Sequence, residues 1–520
     1  MKKVSAILIL TGISLASIAQ SSVSGYVYED KNSNGRKDKN EKGIAGVGVS
    51  NGQEVAISEK NGKYNLPVGS DNIIFVIKPS EYNLPVTSKN LPVFYYNHKP
   101  GGSPAGYKYK GVAPTGALPK SVDFALLPGA TLKDFSSLIF GDPQPYTAEE
   151  VDYYAKGVVA EVEGIKNMQF GLSLGDLVGD SLDLHSPYIS ATQKVGLPWF
   201  NVMGNHDMNY DAKADSLSDE TFELNFGPAN YSFNYGDVHF IILDDILYPD
   251  PRDGKSYWGG FREDQFRFLE NDLKLVPKDK LVVLSFHIPL SGNEESFHMG
   301  QRKRLFDLLK DFPNTLSLSA HTHLQRNDFF NEKDGWQRTK PHHEYNAATT
   351  SGDWYSGAFD DKGVPASTMR DGTPKGYAFI HFKGNQYTID FKVVGKDPAY
   401  QISVYVPKNT NGMKPTTSTV YANFFMGYEG SPVSLRFDGG KWQKMKFSNS
   451  FDPDYVASMV KWDFADSLLG NRRPSLPVES THLWELPVPR NLKHGEHKVE
   501  VRAKDLYGRE FTTTQSFMVK

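Results

Sequence analysis

Five short apolar runs between positions 136 and 323 all stop in the same way. They read SSLIFGDPQ (136–144), GLSLGDLVGD (171–180), PWFNVMGNHD (198–207), LVVLSFHIP (281–289) and NTLSLSAHTH (314–323), and each gives way to Asp, Asn, Gln or His. Apolar runs of strand length bounded by Gly or Pro are buried strands. Helical texture lies between them. TAEEVDYYAKGVVAEVEGIKN offers Thr147 as N-cap with Glu150 at the capping-box position, and REDQFRFLENDLKLV carries an apolar face. Strands alternating with helices fold as a layered α/β unit. Open sheets of that kind receive ligands outside the carboxyl ends of their strands. The five polar clusters are therefore expected to meet in one place.

The rest of the chain has a different texture. VSGYVYED, GVGVS, GKYNLPV and NIIFVIKP, all before residue 128, are short strands joined by Gly-rich turns, as in a β-sandwich. After about Tyr400, strand patterns return. Length agrees, since 520 residues exceed what one core organises. The expected layout is a signal peptide over residues 1–19, an N-terminal β-sandwich over 20–130, an α/β domain over 131–397 and a C-terminal β-sandwich over 398–520. The first residues, MKKVSAILILTGISLASIAQ, carry a basic start, a short apolar stretch and small residues before Gln20. That is an export signal too short to span a membrane, so a periplasmic or secreted protein without a transmembrane segment is expected.

Composition removes several classes. The net charge of -4 leaves no basic footprint for duplex nucleic acid. The chain has no cysteine, which excludes a lipid-anchoring cysteine, a disulfide scaffold and thiolate metal sites. Any metal must be held by His, Asp, Asn, Gln or Glu.

Singly, the polar clusters are ordinary: Gly-Asp after a strand usually makes a turn. Together and in order they carry a resemblance. Asp142-Pro143-Gln144, Gly175-Asp176-Leu177-Val178, Gly204-Asn205-His206-Asp207, His287 and Ala320-His321-Thr322-His323 resemble the motif series of calcineurin-like metallophosphoesterases. Within that family the chain looks like the bacterial secreted type with N- and C-terminal β-domains. Gln144 stands where the commonest form has His. Gly179 stands at the usual second-acid position, with Asp180 one residue later.

The resemblance implies a four-layer α-β-β-α metallophosphoesterase core flanked by two all-β sandwich-like domains. It implies two divalent transition-metal ions (Mn, Fe, Zn or Co). Asp142, Gln144, Asp176 and His323 would hold one; Asp176, Asn205, His287 and His321 would hold the other. A hydroxide bridging them would attack a phosphate mono- or diester in line. His206 would act as general acid or charge stabiliser, with Asp207 supporting its imidazolium. The substrate would be a small-molecule, glycan or lipid phosphate ester. The competing reading is a cell-surface binding protein whose phosphoesterase-like domain is catalytically weak.

Other polar residues are harder to place. TTSGDWYSGAF follows the His-x-His pair, and Asp353, Trp354 and Tyr355 are candidate substrate contacts. Its aromatic rings either stack on a sugar or base or pack a domain joint. His239 reads as structural, and His342 and His343 as solvated.

A second metal signature lies upstream. DKNSNGRKDKNE (30–41) matches D-x-[DN]-x-[DN]-G-x5-E through Asp30, Asn32, Asn34, Gly35 and Glu41, with Asp38 at the ninth place. Strands rather than helices flank it. It resembles the opening of bacterial surface-protein B-type repeats, which implies a calcium loop of weak affinity, about 10⁻⁴–10⁻³ M as in extracellular modules.

Overall fold

A computed structural model of the chain describes residues 21–411 and 417–520. The expected signal peptide lies outside the described residues. Two mixed β-sheets form the centre. The first has five strands in the spatial order Trp199–Val202, Phe170–Leu174, Asp134–Phe140, Gly376–Lys383 and Gln386–Val393. Its first three are parallel. The second sheet has six strands, Tyr231–Tyr235, Val238–Ile242, Leu281–Ser285, Asn314–Ser319, His342–Asn346 and Arg326–Phe330, and its four middle strands are parallel.

The sheets face each other across an aromatic layer. Phe200 stacks on Phe233 at 4.1 Å and Phe170 meets Phe240 edge-on at 5.2 Å. Helices cover the outer faces. Tyr154, at the end of the helix Ala148–Tyr154, packs on Phe140 and stacks with Tyr188 of the helix His185–Thr192. On the far side, Asp272 of the helix Glu263–Leu273 bonds His239 of the second sheet at 2.8 Å. These are the four expected layers.

Two four-stranded sheets precede this core, and a four-stranded and a five-stranded sheet follow it. The C-terminal part also contains a helix, Pro453–Asp463, where β structure alone was expected. Its start is legible in hindsight: Asp452 accepts from Tyr455 N at 2.9 Å and Pro453 takes the first turn. Among the described residues, no helix is long and apolar enough to cross a membrane.

His342 and His343 are not solvated. Their strand lies between two others of the second sheet, so both are buried. His342 bonds Thr315 and Ser317, and His343 bonds Tyr387 and Asn327. Burial pushes both imidazoles down to about 3. Their polar sequence context hid a strand covered on both faces.

Candidate metal centre

The parallel strands of both sheets end at one edge, and the expected ligands meet there. Asp142 and Gln144 follow Asp134–Phe140, Asp176 follows Phe170–Leu174, and Asn205 and His206 follow Trp199–Val202. His287 follows Leu281–Ser285, and His321 and His323 follow Asn314–Ser319. Five of these residues turn off their strands with positive φ: Asp142 (31°), Gln144 (41°), Asp176 (48°), His321 (66°) and His323 (53°). Such conformations cost free energy in non-glycine residues and concentrate at functional sites.

The hydrogen bonds orient donor atoms inward. His287 Nδ1 donates to Leu174 O at 2.8 Å, so Nε2 turns toward Asn205 Oδ1 (3.1 Å), Asp176 Oδ2 (3.2 Å) and His321 Nδ1 (3.1 Å). Coordinating atoms of Asp176, His287 and His321 all lie within 4.8 Å of one another. His323 Nδ1 donates to Gly352 O at 2.7 Å, leaving Nε2 facing Gln144 Oε1 at 2.7 Å. Gln144 Nε2 donates to Tyr146 OH at 3.2 Å, which keeps that oxygen pointing inward. Asp142 Oδ1 lies 3.8 Å from His323 Nε2 and 4.0 Å from His287 Nε2.

This donor set fits cations. Burial pushes His323 down to about 4, so near neutrality its Nε2 is a lone pair facing a carbonyl oxygen. Two lone pairs that close repel unless positive charge lies against both. At His287, burial alone would depress the imidazole, but Asp176 and then Asp142 hold it up to about 10. The cluster thus favours positive charge at that Nε2, and a metal ion satisfies it with the ring neutral. Carbonyl-anchored imidazoles are the usual outer support of metal-ligating histidines. Burial pushes Asp142 up to about 8. At Asp176 burial acts the same way, but His287 and His206 outweigh it and hold the carboxylate well below its ordinary range.

Three expectations need correction. The carboxylate beside His206 belongs to Asp180, whose Oδ1 is 2.7 Å from Nδ1, and not to Asp207. Asp207 instead accepts from the amides of Leu177, Val178 and Gly204, fixing the loop that presents Asp176. Asp353 and Tyr355 are buried and bonded within the protein. Asp353 accepts from Ser475 N and Ser356 Oγ, and Tyr355 OH donates to Pro143 O. Only Trp354 of that trio reaches the site, stacked on His323 at 4.1 Å.

Sequence reasoning missed the walls. A cavity of about 630 Å³ opens beside His206, lined also by Lys108, Tyr109, Asp180, Met208, Tyr210 and Asp211. Lys108 and Tyr109 come from the N-terminal part, and no motif marks them. The 30–41 loop is closed on itself: Gly35 N donates to Asp30 Oδ2, the side-chain amides of Asn32 and Asn34 donate to Asp38 Oδ2, and Glu41 accepts from Lys31 N and Asp38 N. It brings all five candidate calcium ligands into one turn.

Three family models match the chain. "Calcineurin-like phosphoesterase" covers residues 137–325, "N terminal of Calcineurin-like phosphoesterase" 31–113 and "C terminal of Calcineurin-like phosphoesterase" 344–511. A probable glycerophosphodiester phosphodiesterase GpdQ of Arcobacter nitrofigilis is 25% identical over 176 residues, which is 33% of this chain and 62% of that relative. The chain thus spans about three fifths of that relative's length. Among solved structures, the purple acid phosphatase PPD1 of yellow lupin aligns with 72% of this chain and 66% of its own, at 11% identity and a TM-score of 0.35. The Clostridium perfringens spore cortex lytic enzyme SleM aligns at 13% identity, over 68% of this chain and 91% of its own, with a TM-score of 0.17.

Proposed function

Because this chain belongs to the calcineurin-like phosphoesterases, metal-dependent phosphoric ester hydrolases, and has their N- and C-terminal companion domains, we propose that it is an exported hydrolase of phosphate mono- or diesters that holds two divalent ions side by side. The observation that carries this is the set of metal-ligating atoms turned inward. His287 and His323 each commit Nδ1–H to a backbone carbonyl and turn Nε2 toward other acceptors within about 3 Å. Asp142, Gln144, Asp176 and His323 form one half of the centre, and Asp176, Asn205, His287 and His321 the other. Asp176 is shared. Two ions held there would supply a water acidified for attack and a clamp on the phosphoryl oxygens. The ligand types suit Mn, Fe, Zn or Co. The name of the Arcobacter relative supports a diester substrate.

The chain's own residues handle the proton. His206 Nδ1 is held by Asp180, so Nε2–H is the group left to protonate the leaving oxygen. Tyr146 packs edge-on against the His206 ring at 5.8 Å and keeps it in place. Hydrolysis of bis(p-nitrophenyl) phosphate with Mn²⁺, beside elemental analysis, tests this. Two ions per chain are expected, and His206→Ala should lower kcat by about 10²–10⁴-fold. A variant as fast as the native protein, or a chain holding no ion, would overturn the reading.

Two further parts belong to this proposal. The N-terminal pattern supports export with cleavage before Gln20, which the mass of the mature chain checks. The 30–41 motif supports a calcium ion that stiffens the N-terminal sandwich, which an unchanged Tm in millimolar calcium would refute.

A further inference from the structure

Two guanidinium groups converge on the ring of Trp354. Arg370 lies 5.5 Å and Arg472 5.7 Å from its centroid. Trp354 stacks on His323, so the pair stands at the rim of the metal centre. Arg370 also donates to the carbonyl of Thr322, between His321 and His323, while its Nε is buried and has no partner. Arg472 comes from the C-terminal part. Gly357 N donates to Arg472 O, and three residues on Ser475 N donates to the carboxylate of Asp353, which ties this segment to the Trp354 loop. Among the described residues, neither guanidinium has a carboxylate within ion-pair distance, whereas the adjacent Arg473 is paired with Asp463. Trp354 holds a φ of 48° to present its ring there, a strained conformation.

Like charges brought over one ring with no carboxylate in ion-pair contact, at the rim of the centre proposed above to take phosphate, make a site for an anion. Guanidinium groups bind phosphate and carboxylate through paired N–H donors, and they stack on aromatic faces. We propose that Arg370, Arg472 and Trp354 form a subsite for a second anionic group, so that the preferred substrates are phosphoric esters carrying a second phosphate or carboxylate. This rests on the phosphoesterase reading above and deepens it. It also assigns the C-terminal part a role in the site: it supplies Arg472 and anchors the loop that carries Trp354.

The test compares the p-nitrophenyl ester of thymidine 5′-phosphate with the same ester bearing a 3′-phosphate. The two share ring and leaving group and differ by one anion. The metal-loaded protein is expected to turn over the 3′-phosphorylated ester with kcat/KM about tenfold or more above the other. In Arg472→Gln and Arg370→Gln that preference should fall toward unity, with bound metal unchanged by elemental analysis. Arg472 is exposed, so its variant stands if Arg370→Gln fails to fold. Calorimetry on metal-loaded His206→Ala gives a readout without turnover: thymidine 3′,5′-bisphosphate should bind about tenfold tighter than the 5′-monophosphate. Equal kcat/KM for the two esters, equal affinities, or a preference that survives both substitutions would overturn the subsite. If no ester is cleaved, bis(p-nitrophenyl) phosphate included, the phosphoesterase reading fails, and the calorimetric comparison still decides whether the second anion is bound.

Discussion

A β-carbon at Gly179 would lie 2.6 Å from the ring of Tyr146. An acid cannot stand at that position while Tyr146 packs against His206. Asp180, one residue later and at a φ of 64°, delivers the carboxylate instead. The change of spacing from the family pattern is therefore a rearrangement around one aromatic ring, and the function of the acid survives it. Asp180 also sets the working range of His206. Burial alone would depress that imidazole, but Asp176 and then Asp180 hold it up to about 9. Replacing Asp180 with Asn removes one of the two charges that keep the proton on. The alkaline limb of the kcat/KM profile is then expected to move to lower pH, because the imidazolium needed as acid is lost earlier. A pH–rate series on Asp180→Asn checks this, and an unmoved limb would show that Asp180 does not govern His206.

The unit of construction at the next scale is the strand and the turn that ends it. Apolar residues commit each run to the sheet, and the turn then leaves the ladder abruptly enough to aim side chains forward. Glycine makes room for this at two places. A β-carbon on Gly204 would be 2.0 Å from Asp176 N and 2.3 Å from Asp176 Oδ1, and one on Gly175 would be 2.5 Å from His287 Nδ1. These are contacts between neighbouring strand ends, so the ligand loops interlock. Gly204→Ala is expected to push the Asp176 loop away from the centre, with bound metal falling from two equivalents to one or none. Its circular dichroism should stay native because the sheets lie behind the turn. Full metal content in that variant would mean that the loop yields without cost. The alternation Leu316, Ser317, Leu318, Ser319 made this strand readable in advance, and the His-x-His after it marked the turn. The helix Pro453–Asp463 is a single short helix set between strands, so the β texture of the C-terminal part as a whole does not announce it.

Over the whole molecule, the β-domains are locked to the core through polar bonds that a sequence does not display. Lys78, in the N-terminal part, places Nζ 3.6 Å from the centre of the Tyr235 ring and donates to Asn234 O at 2.7 Å. On the other side, Asp371 of the core loop bonds both Gln325 N and His482. Lys78 is almost fully buried, and burial pushes its ammonium down to about 7 from 10.5. Between those two pH values the unfolded chain binds a proton that the folded chain does not. Stability therefore climbs with pH across that window, and the charged buried form weakens the junction below it. Lys78→Met is expected to abolish that climb. Thermal melts from about pH 7 to about pH 10 should show Tm rising in the native protein relative to the variant. Parallel curves would place Lys78 in a wetter setting than the fold indicates.

The sequence by itself determined the layered core and the five polar strand ends expected to meet, because side-chain period and turn chemistry are local properties; the choice of seven metal ligands among those residues came from the resemblance to the family. Tertiary structure decided the partners: Asp180 for His206 in place of Asp207, Trp354 alone of its trio, Lys108 and Tyr109 from one domain, Arg472 from another. Those contacts join residues far apart in the chain, and no spacing rule reaches across a fold whose geometry is set only when the sheets close on each other.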